Sequence, residues 1–189
     1  MRLFLILFIS TFVQMSHASQ IDSVPQKSIR LQTGEMFDTY NSMGIRFLVE
    51  YQQQFKNKKH IFWGIGFDTK QALYRIATDN YGPPELNTHN FSFNFHYQLK
   101  LWKDKILSDF SIGPNFTHAF IKKQHYLLKG AHLGALLNIK LGKHIYFETA
   151  PLLFIPIGSD FYLTNSKPYP KLPVYLQYSV LPLGVRFIL

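Results

Sequence analysis

Cysteine is missing from all 189 residues. That excludes the disulfide framework on which small secreted domains commonly depend. After the first thirteen residues no apolar run approaches the length of a membrane helix, so a helical span is excluded as well. Acids are scarce, 11 Asp and Glu against 20 Lys and Arg, for a net charge of +9. The lysines are scattered through turns and alternate positions, with no basic helix and no aromatic RNA-binding motif. Nucleic acid is therefore not an expected partner. No phosphate-binding loop is present, and Gly64-Ile65-Gly66 lies inside an alternating segment, where glycine permits close packing.

What is present begins with an export signal. Met1-Arg2 supplies a positive charge, Leu3 to Val13 is an uncharged apolar run, and Ser16 and Ala18 are small. This is the pattern of a secretory signal peptide, too short to span a bilayer. It predicts a signal over residues 1–18 and a single domain over residues 19–189.

Most of that domain alternates. In Asn90 to Leu101, Phe91, Phe93, Phe95, Tyr97, Leu99 and Leu101 share one face. Asn90, Ser92, Asn94, His96, Gln98 and Lys100 share the other. The same period of two recurs over Ser28–Phe37, Met43–Phe55, His60–Asp68, Lys105–Phe120, Lys129–Leu141, His144–Ile157 and Tyr175–Leu189. Eight strands result, most longer than usual. Lys56–Lys59, Lys103–Lys105 and Gly142-Lys143 are tight, charged turns. Longer polar connections are expected over Thr69–Thr88, around Lys122–His125 and over Gly158–Pro173, with a shorter one near Asp38–Ser42. Alternating long and short links describe a transmembrane barrel with loops at one end and turns at the other.

The apolar faces could meet a protein core or lipid. An eight-stranded lumen is just wide enough to be filled by side chains. Dozens of Phe, Tyr, Leu and Ile do not fit there, whereas a polar set diluted by Gly, Ser and Asn does. Arg30, Arg46, Glu50, His96, Asp109, His132, Glu148 and Arg186 are therefore expected inside, as a polar network of mixed sign. Trp63, Trp102, Tyr97, Tyr146, Tyr175 and Tyr178 are candidates for interfacial girdles. The soluble alternative is a lipocalin-like lipid carrier with an apolar pocket and a hydrophilic exterior.

The signal, the eight amphipathic strands and the final Leu183-Gly184-Val185-Arg186-Phe187-Ile188-Leu189 resemble small outer-membrane barrels of Gram-negative bacteria, of the OmpX and OmpA transmembrane-domain type. The resemblance implies an all-β, eight-stranded antiparallel up-and-down barrel, outer-membrane lipid as partner, and recognition of the last strand by the barrel-assembly machinery. Such barrels commonly end in an aromatic residue; here Phe187 is third from the end and Leu189 is last. The class also contains lipid A deacylases, which carry a His-x-Ser pair and a carboxylate. Residues 19–189 contain no His-x-Ser, and His89 and Ser92, three apart, should face opposite ways. Lipid A modification thus remains the enzymatic alternative, and no catalytic residue is assigned. His118, His125 and His132 recur every seven residues, an interval without meaning in a strand, so no metal or cofactor is expected. Lys122, Lys123, Lys167 and Lys171 are candidates for contact with lipopolysaccharide phosphates. The expected function is that of a monomeric, packed barrel with a structural or surface-binding role through its loops.

Overall fold

Period-two hydropathy with charged turns calls for antiparallel hairpins, and the described residues form antiparallel strands throughout. The computed structural model of the chain describes residues 26–38, 42–75, 87–102, 105–121, 124–150, 160–165 and 175–189. The predicted signal and Lys122, Lys123, Lys167 and Lys171 lie outside these residues. The described strands are β1 (Lys27–Asp38), β2 (Ser42–Gln54), β3 (Ile61–Arg75), β4 (Asn87–Trp102), β5 (Ile106–Ile121), β6 (Gln124–Lys140), β7 (Ile145–Thr149), β8 (Asp160–Asn165) and β9 (Tyr175–Ile188). All neighbours pair antiparallel, and β1 pairs with β9 to close the ring.

Nine strands occupy eight positions. Both β7 and β8 lie between β6 and β9, β7 toward one end of the barrel and β8 toward the other. From Thr149 to Asp160 the chain advances eleven residues, while the paired stretch of β6, Leu137 to Gly134, covers three. The expected loop over Gly158–Pro173 is corrected, because 160–165 belong to the wall; of the expected strand over His144–Ile157, β7 gives 145–149. Pro151, Leu153 and Ile155 lie outside the described residues.

Other strand ends also differ from expectation. β3 continues to Arg75, taking Lys70 into the wall from what reads as a loop. β5 and β6 run 16 and 17 residues, leaving only residues 122 and 123 between them. A bilayer needs about 9–11 residues per tilted strand, so this hairpin is longer than its crossing requires. The turns near residues 55–60, 103–105 and 141–144, together with the start of β1 and the end of β9, lie at one end of the barrel, called here the turn end; the opposite end is the loop end. Leu189 N donates to Lys27 O at 2.9 Å and ties the first and last strands together there.

Polarity is inverted relative to a soluble protein. Among the described residues, twenty-seven polar or charged ones are buried against ten hydrophobic ones, so the interior is a polar medium. Outside, twenty-four large hydrophobics of the described residues are exposed, among them Phe47, Val49, Ile65, Phe91, Phe93, Phe95, Ile112, Phe116 and Leu183. Exposing each such side chain to water forgoes roughly 1.5–3 kcal/mol. Over this many residues that exceeds a domain's whole stability, so the face requires lipid. Neighbouring rings reinforce it: Trp63 stacks on Phe93 at 6.3 Å and Phe55 on Phe95 at 6.3 Å.

A lipid-facing position in mid-strand should not tolerate charge. Phe93→Arg is expected to destabilise the folded barrel by about 2–4 kcal/mol, and Trp102→Arg, at the turn end, by about 0–1 kcal/mol. Urea titrations of the vesicle-inserted chain, read as loss of the folded band's gel mobility, would measure both; equal losses would refute the assignment of the apolar face.

Candidate functional site

On β1, even-numbered residues face inward, which brings Ser28, Arg30, Gln32, Met36 and Asp38 into the lumen. Arg30 sits opposite Glu50 of β2 on one side and opposite Arg186 of β9 on the other. A like-charged neighbour makes this a costly place for a guanidinium, and three carboxylates meet it. Nη1 lies 2.8 Å from Glu50, Nη2 2.5 Å from Asp109 and Nε 2.8 Å from Glu148. These acids come from β2, β5 and β7, so one side chain ties together strands on opposite sides of the ring. Arg186 lies over the Phe62 ring at 5.3 Å, donates to Ser28 Oγ at 3.0 Å and reaches Asp109 at 4.0 Å.

A second cluster forms one level toward the loop end. Arg46 binds Asp160 through Nη1 and Asp68 through Nη2, the latter at 3.0 Å. Arg46 Nη2 also donates to the Tyr162 hydroxyl at 2.7 Å, and that hydroxyl donates to Asp68 at 2.5 Å. Above it, Lys70 pairs with Asp38 at 2.6 Å. Gln177 spans from Asn90 to Thr88.

Two histidines extend the network, one within the Arg30 cluster and one between the two levels. His96 Nε2 lies 2.9 Å from Glu50 Oε1 and its Nδ1 3.0 Å from Asp109 Oδ1. With a proton on each nitrogen the ring donates to both acids; a neutral tautomer would turn a lone pair toward one of them. Asn94 gives its amide N–H to Glu50 at 2.9 Å, which leaves Oδ1 for His132 Nδ1 at 2.8 Å. His132 Nε2 then meets Asp160 at 2.7 Å, with the ring stacked on Tyr162 at 4.7 Å. Among the described residues the lumen holds six carboxylates (Asp38, Glu50, Asp68, Asp109, Glu148, Asp160) and four Lys or Arg (Arg30, Arg46, Lys70, Arg186).

Space for these contacts is made by glycine. A Cβ at Gly134 would meet Ser111 Oγ at 2.3 Å and Asp160 Oδ1 at 2.8 Å. One at Gly64 would meet Glu50 Oε1 at 2.9 Å and His96 Nε2 at 3.0 Å.

All eight residues read from the sequence as interior face the lumen and are buried. Sequence reasoning left out Asp38, Asp68, Lys70, Asp160 and Tyr162. Asp68 was legible as part of a polar face, whereas the others lie in segments that read as connections. Lys100 is a correction: parity puts it with the interior set, but it is exposed at the strand's turn end. Tyr146 is another, buried in the lumen at 9% exposure and absent from any girdle. His118 and His125 do meet, Nε2 to Nδ1 at 3.1 Å, on the outer face near the loop end, while His132 lies inside. Among the described residues no group of three or more His, Asp or Glu is disposed to hold a metal ion. His89, stacked on Phe67 of the outer face, and Ser92, in the lumen, are on opposite sides of the wall.

Removing the central cation should be costly because its acids remain. Arg30→Met is expected to destabilise the barrel by about 3–5 kcal/mol. Lys59→Gln, in an exposed turn, should stay within about 0.5 kcal/mol. Parallel urea titrations in vesicles would test this, and a neutral Arg30→Met would show the network to be dispensable.

No family model and no curated protein matches the chain. Solved structures do. The chain is similar to Neisserial surface protein A (TM-score 0.58, 8% identity, 87% of this chain and 97% of that one). It is similar to a major outer membrane protein of Thermus thermophilus (TM-score 0.55, 9% identity, 88% and 100%). It is also similar to Ail, the attachment invasion locus protein of Yersinia pestis, in complex with the heparin analogue sucrose octasulfate (TM-score 0.51, 9% identity, 87% and 97%). At such identities the likeness concerns architecture: the chain has the eight-position, up-and-down antiparallel barrel fold of small outer-membrane proteins.

Proposed function

We propose that this chain is an outer-membrane barrel whose wall is anchored by a closed ionic core and whose activity lies at its surfaces. The observation that carries this reading is Arg30, with acids from β2, β5 and β7 gathered on one guanidinium across the lumen. A lumen crossed by such contacts is a scaffold, and a wide diffusion path would have to break them. The outer-membrane location is supported by the apolar outer face and by the architecture shared with outer-membrane neighbours. Export by the N-terminal signal belongs to the same reading.

Contact with lipopolysaccharide is the surface role we infer, through Lys122, Lys123, Lys167 and Lys171, which are close in sequence to the loop-end ends of β5, β6, β8 and β9. Two measurements test the proposal. Vesicles containing the folded chain should not swell in an isosmotic solution of a small sugar; rapid swelling would mean an open pore. Changing Lys122 and Lys123 together to Gln should weaken lipopolysaccharide binding at low salt several-fold, and an unchanged isotherm would remove those lysines from the contact.

A further inference from the structure

Charge is sorted in this barrel along two directions at once. Six of the described acids face the lumen, and the remaining one, Glu35, lies on the outer face toward the loop end. Lysines collect at the turn end, where Lys27, Lys56, Lys58, Lys59, Lys100, Lys105, Lys140 and Lys143 are all exposed. They come from the start of β1 and from all three turns, so they encircle the rim. Among the described residues no acidic side chain is exposed there; Asp104, between β4 and β5, lies outside them. A ring of exposed cations stores mutual repulsion, which a layer of anions would relieve.

Apolar side chains at the same rim say what kind of layer. Phe55 precedes Lys56, Leu99 and Leu101 flank Lys100, and Ile139 and Leu141 flank Lys140. Trp102 is 64% exposed and Leu141 66%. Apolar groups entering a bilayer's edge hold the adjacent lysines at headgroup depth, where their long stems can reach phosphate. A soluble polyanion would match the charge and leave these apolar groups unused. We propose that the turn-end rim is a docking surface for anionic phospholipid headgroups, which it gathers around the barrel in the leaflet it touches. The inference rests on the reading of the chain as an outer-membrane barrel and adds a lipid preference to it.

Trp102 lies within this rim and can report on it. The chain has two tryptophans, so Trp63→Phe leaves Trp102 as the single emitter. This variant would be inserted into phosphatidylcholine bilayers carrying a minority of brominated phosphatidylglycerol or, in parallel, brominated phosphatidylcholine. The anionic lipid should quench Trp102 with an apparent preference of about fivefold for even one lysine–headgroup contact. The preference should fall toward unity in molar salt. It should also fall when Lys100, Lys105, Lys140 and Lys143 are changed to Gln. A heat-modifiable gel shift on the same vesicles separates the two readings. Equal quenching by both lipids in a folded, inserted barrel overturns the docking surface and leaves the barrel standing; failure to insert in any bilayer overturns both. Equal quenching by the lipids, with a Trp102 response to added polyphosphate instead, would assign the rim to a soluble polyanion and likewise overturn the proposal.

Discussion

Among the described residues, the inside of this barrel is arranged around the cost of an unpaired charge in a narrow lumen. Arg30 states the constraint most sharply. Its register neighbour is another arginine, and it is nearly inaccessible to water, yet three carboxylates from three strands lie within 2.8 Å of its nitrogens. Bringing one charge into such a space costs several kcal/mol, so every member has to arrive with its partners already placed. The same requirement explains why glycine stands at Gly64 and Gly134, where a methyl group would displace a carboxylate or an imidazole. It also explains Asn94, whose two-ended amide is what allows the Arg30 and Arg46 clusters to share a single network through His132.

Satisfying the interior determines the exterior. The sequence has 11 acids, and the described lumen uses six of them. Basic residues outside the lumen therefore outnumber the acids left to them, and the net charge of +9 emerges as a surface property with a location rather than as a bulk average. Composition alone suggested a generic basic protein; the fold turns that into an ion-paired core, an apolar belt and a basic rim at the turn end. The soluble-carrier alternative fails at the same point, since it would need the apolar side chains inside and the ion pairs outside, the reverse of the observed partition.

The two faces of each strand were legible in the sequence because a period of two survives any detail of pairing. Arg30, Glu50 and Arg186 could be placed inside without knowing what they touch. Their partners could not, because contacts across the lumen depend on stagger around the ring, which no local pattern records. Asp160 and Tyr162 were hidden for another reason: they follow Gly158 in a segment rich in proline and glycine, and only pairing with β6 and β9 identifies it as wall. Leu48 and Phe62 break the polar rule for the interior, at 7% and 1% exposure, because a lumen must be filled as well as neutralised. The histidine spacing of seven misled in a simpler way. Phe120 pairs with His125 across the β5–β6 hairpin, so side chains near the fold-back meet whatever their separation along the chain.

A barrel wall that separates charge from lipid cannot tolerate a slip of one residue, since that would exchange every inward and outward side chain. On β9 the chain itself makes such an exchange, and the wall absorbs it. Gln177 and Ser179 face inward on odd positions, whereas Pro182 and Arg186 face inward on even ones. Between them Leu181 has φ of 45°, and β1 shifts register opposite, between Thr33 and Glu35. The extra residue is a bulge, and a left-handed leucine costs roughly 1–2 kcal/mol of backbone strain. Gly34 accommodates it: a Cβ there would come within 3.0 Å of Pro182 Cα. Without the bulge, either Gln177 would leave the Asn90–Thr88 contacts or Arg186 would point into lipid. The second alternative would also take Arg186 from Ser28, Asp109 and the Phe62 ring. The irregular turn in the last strand keeps both halves of β9 in phase with one continuous ionic core.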